Sequence, residues 1–204
     1  MSESDKKNKL EKIIENFCRE FLDEPYLCYT EHGWHAYFYH FFITRWQEYG
    51  NSITAKMPCV KDICIIQKEF PTLSKLIFTT KRQHWDIAIL DESGGTTTTV
   101  NDLSNKQLKE QESQKLFAAI EFGMNADKNH FDQDLKRLKH KDALGKQFEY
   151  GYVVNLVRIG DISGRDRSVN PFSDVPVDDD EKIVVYHVVF DKKSSFFING
   201  NEKL

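Results

Sequence analysis

Three acidic residues stand out because of what surrounds them. Asp86 lies inside the apolar run Trp85-Asp86-Ile87-Ala88-Ile89-Leu90, and Glu121 sits near the end of Phe117-Ala118-Ala119-Ile120-Glu121-Phe122. Glu31 opens an aromatic-rich segment, three residues before Trp34 and seven before Phe38, a spacing that turns it toward the same helix face. A carboxylate at the edge of a buried strand is costly unless it is paired, hydrogen-bonded or bound to a metal. Two such groups on neighbouring strands make a hard-oxygen site suited to Mg²⁺ or Mn²⁺. A cation of that kind lowers the pKa of a bound water and stabilises charge on a phosphodiester. The competing explanation is structural: Asp86 and Glu121 each end a strand and pair with a lysine. A first-turn acid such as Glu31 is favoured by the helix dipole alone.

These residues need elements to position them. Leu10, Ile13, Ile14, Phe17, Cys18, Phe21 and Leu22 recur at helical spacing over residues 5–23, and Pro25 lies just beyond. Thr30 is placed to cap a second helix over 31–49. Its Trp34, Tyr37, Phe38, Phe41, Phe42, Trp46 and Tyr49 form one stripe, which asks for a flat partner such as the face of a sheet. Strands are predicted over 60–67, 85–90, 116–122, 152–159 and 183–190, with a short one over 76–79 and a stop at Pro71. Residues 93–114 are expected to form a polar insertion with a short helix near 105–113, and 160–181 a solvated loop. A third helix is predicted over 129–148, with Phe131, Leu135, Leu138 and Leu144 inward and its lysines outward.

This order predicts an α/β fold with a mixed central sheet flanked by helices, the first two helices on one face and the third on the other. A single domain over 1–204 is expected: two helices at 5–49, a core at 60–159, and a C-terminal loop and strand at 160–204. That length buries a core without disulfides or metal staples. The net charge of −4 excludes a globally basic nucleic-acid binder, although not a local basic groove. Cys18, Cys28, Cys59 and Cys64 form no C-x-x-C pair, so they are expected to be reduced and mostly buried. No apolar run approaches the ~18 residues a membrane span needs. The polar N-terminus lacks a secretory core, so a cytoplasmic location with no membrane contact is expected. His32, His35 and His40 crowd one helix without an H-E-x-x-H arrangement, and no P-loop, G-x-G-x-x-G or G-x-S-x-G is present.

With these elements in place, the chain resembles the PD-(D/E)xK nuclease superfamily, the restriction-endonuclease-like fold. That family carries an acid in its second core strand, (D/E)-x-K in the third, and then a helix that packs on the sheet. Asp86 matches the first acid and Glu121 the second, while Phe131-Asp132-Gln133-Asp134-Leu135-Lys136-Arg137-Leu138 matches the helix. Glu31 fits the acid that many members carry on the preceding helix, and Glu69-Phe70-Pro71-Thr72 resembles a form seen in some branches. The resemblance covers roughly residues 30–159. It implies a nuclease-like core in which Asp86 and Glu121 bind Mg²⁺ or Mn²⁺, the Phe122 carbonyl adds a ligand and Glu31 assists. DNA is favoured over RNA as the substrate, and a homodimer is admitted.

One departure bears on catalysis. Glu121-Phe122-Gly123 stands where (D/E)-x-K is expected, so the lysine is missing, and Trp85 replaces the proline. Another cation can serve if it reaches the same point. Lys128 before the third helix, and Lys81 or Arg82 before the Asp86 strand, are the candidates. Lys81, Arg82 and His84 form a basic cluster beside Asp86 that suits phosphate contact. The basic side of the third helix, with Lys136, Arg137, Lys139 and Lys141, is expected to be a solvated face. The alternative is a nuclease-fold protein that lost catalysis and acts as a binding or regulatory module.

Overall fold

Ser2 starts the first helix. Its side chain accepts from the Asp5 N–H, and the Asp5 carboxylate reaches back to the Ser2 backbone, a reciprocal cap that satisfies two otherwise orphaned donors. The computed structural model describes residues 2–57, 60–71, 84–91, 115–126, 128–140, 147–159, 182–191, 196–199 and 202–203. In chain order these form α1 (Glu3–Asp23), α2 (Glu31–Glu48), β1 (Thr54–Met57), β2 (Val60–Cys64), β3 (Ile66–Pro71), β4 (His84–Leu90), β5 (Leu116–Met124), α3 (Lys128–Leu138), β6 (Phe148–Arg158), β7 (Ile183–Phe190), β8 (Phe196–Asn199) and β9 (Glu202–Lys203).

Among the described residues, β3 to β9 form one seven-stranded sheet in sequence order, and β1 and β2 form a separate hairpin. The sheet is mixed: β3, β4 and β5 run antiparallel, β5, β6 and β7 parallel, and β7, β8 and β9 antiparallel again. The parallel strands are apolar nearly throughout, as expected where helices cover both faces.

Adjacent residues of β5 show how the layers divide, because successive side chains on a strand point to opposite faces. Phe122 meets Phe17 of α1 and Phe38 of α2, whereas Glu121 meets Arg137 of α3. The expected arrangement, two helices on one face and one on the other, holds. Phe17 anchors the first layer, with the rings of Phe38, Trp34 and Phe41 at 4.4, 5.8 and 5.7 Å. Such aromatic pairs add about 0.5–1.5 kcal/mol each beyond their buried area.

Arg158, buried at the end of β6, fixes the turn between α1 and α2. It donates to the carbonyls of Pro25, Cys28 and Tyr29 and lies over the Tyr26 ring. Those carbonyls would otherwise go unpaired against the protein.

Several boundaries differ from expectation. The strand predicted over 60–67 is two strands that break at Ile65. Ile65 bridges the sheets, donating its N–H to Ile53 and accepting from Leu90. The third helix ends at Leu138, and Phe148 belongs to β6, ten residues beyond that end. The apolar period of Phe131, Leu135 and Leu138 carries no stop signal. The strand start is decided by pairing, with Leu116 opposite Phe148. β1, β8 and β9 are not predicted from the sequence. The predicted strand at 76–79, the insertion at 93–114 and Leu144 lie outside the described residues. So do Cys59 and the whole of the loop over 160–181. Cys18 is buried, and Cys28 and Cys64 are half-buried, all three as free thiols. No helix among the described residues is long and apolar enough to cross a membrane.

Candidate functional site: an acid cluster between β4, β5 and α3

Asp86 and Glu121 come together. The antiparallel pairing of Ile87 with Ile120 places the two acids at the next position along β4 and β5. Asp86 Oδ2 accepts from the Phe122 backbone N–H at 2.8 Å, which anchors the carboxylate across the strand pair. Glu121 is fully buried. Burial pushes its carboxyl well above the usual range; Arg137 opposes this, and the charges of Asp86 and Asp134 add to it.

The third acid of the cluster is Asp134, and sequence reasoning missed it. It lies on α3 and is only 5 % exposed. Burial raises its carboxyl too, against the pull of Arg137 and His130. Arg137 joins the helix to the strand, with Nη2 2.6 Å from Glu121 Oε2 and 2.8 Å from Asp134 Oδ1. The Asp134 contact is an aligned hydrogen bond. The Glu121 contact is an ion pair whose oxygens lack hydrogen-bond alignment with any described donor. Arg137 was expected on a solvated face, but it leans inward because residues 131, 134, 135 and 138 put one side of α3 against the sheet. Its three-residue spacing from Asp134 was the available signal.

The position of the absent lysine is itself crowded. A Cβ on Gly123 would stand 3.2 Å from Ala126 Cβ and 3.6 Å from Asn155 Oδ1. The first contact is tight enough that a side chain there needs its neighbour to shift. A cation therefore enters from α3 rather than from β5.

His35 also approaches the site unpredicted. Its Nε2–H donates to the Asp86 carbonyl at 3.2 Å, and its ring stacks on Phe122 at 5.6 Å. Burial lowers its pKa, with the Asp86 charge opposing. Glu69 lies opposite Asp86 on β3, between the pairs Lys68–Ile87 and Phe70–Trp85, with φ of 53°. This left-handed conformation is strained for a glutamate.

Glu31 is a correction. It is exposed in the first turn of α2, not turned inward. No preceding turn covers a first helical residue, and the dipole accounts for its charge. His35, one turn later, takes the inward place. His84 is exposed at the start of β4, opposite Pro71. Lys128 begins α3, and its side chain lies outside the described residues, as do Lys81 and Arg82 altogether. His32 and His40 are exposed.

Among the described residues, no three His, Cys, Asp or Glu side chains are grouped to hold a metal on their own. The cluster nonetheless suits a Mg²⁺-type ion, which commonly uses one or two carboxylates and takes its remaining ligands from water and phosphate. The fit rests on charge: Glu121 and Asp134 share one guanidinium, Asp86 adds a third negative charge beside them, and among the described residues both buried oxygens of Glu121 lack an aligned donor. Comparison of the chain with family models, curated proteins and solved structures gives no match.

Proposed function

We propose that the protein is a Mg²⁺- or Mn²⁺-dependent nuclease of the PD-(D/E)xK kind that hydrolyses phosphodiester bonds in DNA in the cytoplasm. The observation that carries this reading is the acid cluster itself: buried Glu121 and Asp134 share the Arg137 guanidinium, and half-buried Asp86 lies close enough to push the Glu121 carboxyl further up. The placement agrees with the family pattern: the first acid on the sheet's second strand, the second on its third, and the helix next in order. Such an excess of carboxylate is relieved by a cation or by protonation.

Asp86 and Glu121 would hold the metal, and the Phe122 carbonyl is a further ligand if the family pattern applies. When bound, the cation lowers the pKa of an attacking water and screens charge on the scissile phosphate. The chain's own residues do the rest. The Phe122 N–H orients Asp86, and His35 steadies the same strand through the Asp86 carbonyl. Arg137 supplies the positive charge that the motif lysine supplies in the family, offsetting charge that builds on phosphate oxygens.

The test is incubation of labelled duplex DNA, single-stranded DNA and RNA with the protein and Mn²⁺, beside Asp86→Ala. Metal-dependent cleavage of DNA that the substitution abolishes supports the reading. Cleavage by the variant at the wild-type rate overturns it.

The complete burial of Glu121 favours a second reading, a catalytically inactive nuclease fold serving as a binding module. DNA binding without cleavage under any divalent cation would select it.

A further inference from the structure

We infer that Arg137 is an internal counter-cation with two seats, Glu121 and Asp134, and that a divalent ion entering the acid cluster takes the Glu121 seat while the guanidinium stays on Asp134. The inference rests on the nuclease reading and specifies how its metal site fills.

One nitrogen serves both acids: Nη2 contacts Glu121 at 2.6 Å and Asp134 at 2.8 Å. The two seats differ in kind. Asp134 is on the same helix, three residues away, and its contact is an aligned hydrogen bond, so it follows Arg137 wherever the helix goes. The Glu121 contact joins two separate elements and lacks hydrogen-bond alignment. Arg137 Nε is buried with no hydrogen-bond partner among the described residues. The guanidinium, which has five donors to place, is thus held partly by charge alone and gives up little geometry on leaving.

Access points the same way. The Arg137 side chain keeps 18 % of its surface exposed, while that of Glu121 keeps none. Arg137 therefore lies at the rim and covers the acid beneath it. A divalent ion on Glu121 would repel a guanidinium sharing the same carboxylate, and a low local dielectric strengthens that repulsion. The surplus acid gives the displaced group a seat within reach, so exchange does not strand a buried charge. Released from Glu121 and tethered by Asp134, Arg137 remains beside the cluster, where a bound phosphate would meet it.

The test is calorimetric titration of Mn²⁺ into wild type, Arg137→Ala and Asp86→Ala, without nucleic acid. Arg137→Ala should bind Mn²⁺ about tenfold more tightly than wild type, since it lacks the internal competitor. Millimolar methylguanidinium should weaken that binding in Arg137→Ala and leave wild type unchanged, a response that a merely structural arginine would not give. Unchanged or weaker binding in Arg137→Ala, with Asp86→Ala still abolishing it, overturns the exchange and leaves the nuclease site standing. Absence of binding in both wild type and Arg137→Ala overturns the exchange and counts against the metal site as well. Should Arg137→Ala fail to fold, Mg²⁺ is titrated into ¹⁵N-labelled wild type. The Arg137 Nε–H resonance should move together with the Glu121 amide; movement of the amide alone overturns the exchange.

Discussion

The backbone N–H of Phe122 donates to Oδ2 of Asp86 at 2.8 Å, so the first acid of the site is oriented by the strand that carries the second. The acid pair is therefore built into the β4–β5 ladder, and a side chain at position 86 has two separable roles, as an acceptor and as a charge.

Asp86→Asn and Asp86→Ala should separate those roles. The amide oxygen of asparagine still accepts from Phe122, so stability should change by less than about 1 kcal/mol. Alanine leaves the Phe122 donor unpaired and should cost about 1–3 kcal/mol. Both variants should lose Mn²⁺ binding. Urea denaturation and calorimetry on the two proteins check the pair of outcomes.

Glu121 and Asp134 make stability fall as pH rises. Burial raises both carboxyls in the folded protein. Above pH 4.5, the ordinary value for a glutamate, the unfolded chain has released protons that the native state still holds. The native state then binds more protons than the unfolded one, so stability declines through the window up to the raised values. Glu121→Gln should flatten this slope, and saturating Mg²⁺ should reduce it in wild type. Melting temperature measured across pH is the readout; an unaltered slope in Glu121→Gln would count against the buried-acid account.

His187 should produce the opposite slope. It is buried on β7, with Nδ1 accepting from Asn155, and burial lowers its pKa from 6.5 to about 4. Between those values the unfolded chain takes up a proton that the native state refuses, so stability is lost as pH falls. The loss amounts to about 3 kcal/mol by the bottom of the window. His187→Gln should remove it while leaving the Glu121 slope in place, which lets the same melting series assign each effect.

Arg158→Met should destabilise the protein by about 3 kcal/mol, because three carbonyls of the α1–α2 turn lose a charged donor. Mn²⁺ affinity should stay at the wild-type value, as this arginine has no contact with the acid cluster. Reduced affinity would tie the turn to the site.

Much of this molecule is written in neighbouring residues. The 3.6-residue period of Leu10 to Phe21 and of Trp34 to Trp46 specifies two amphipathic helices, and Thr30 marks where the second begins, its hydroxyl accepting from Gly33. The runs around Asp86 and Glu121 specify buried strands, and an acid inside such a run announces a site because its desolvation must be compensated. These signals are local, so one dimension suffices to carry them. Packing decided the rest. Glu31 has the spacing of an inward residue and is exposed, because burial on α2 begins only with Trp34 and His35, three and four residues further on. Arg137 has the setting of a solvated residue and pairs with Glu121, because α3 lies over β5. Phe148 continues a helical pattern and forms a strand, because Leu116 offers it a ladder. Periodicity records which residues avoid water. The partner that receives each of them, and the charge that balances each acid, depend on elements distant in the chain and exist only once those elements meet.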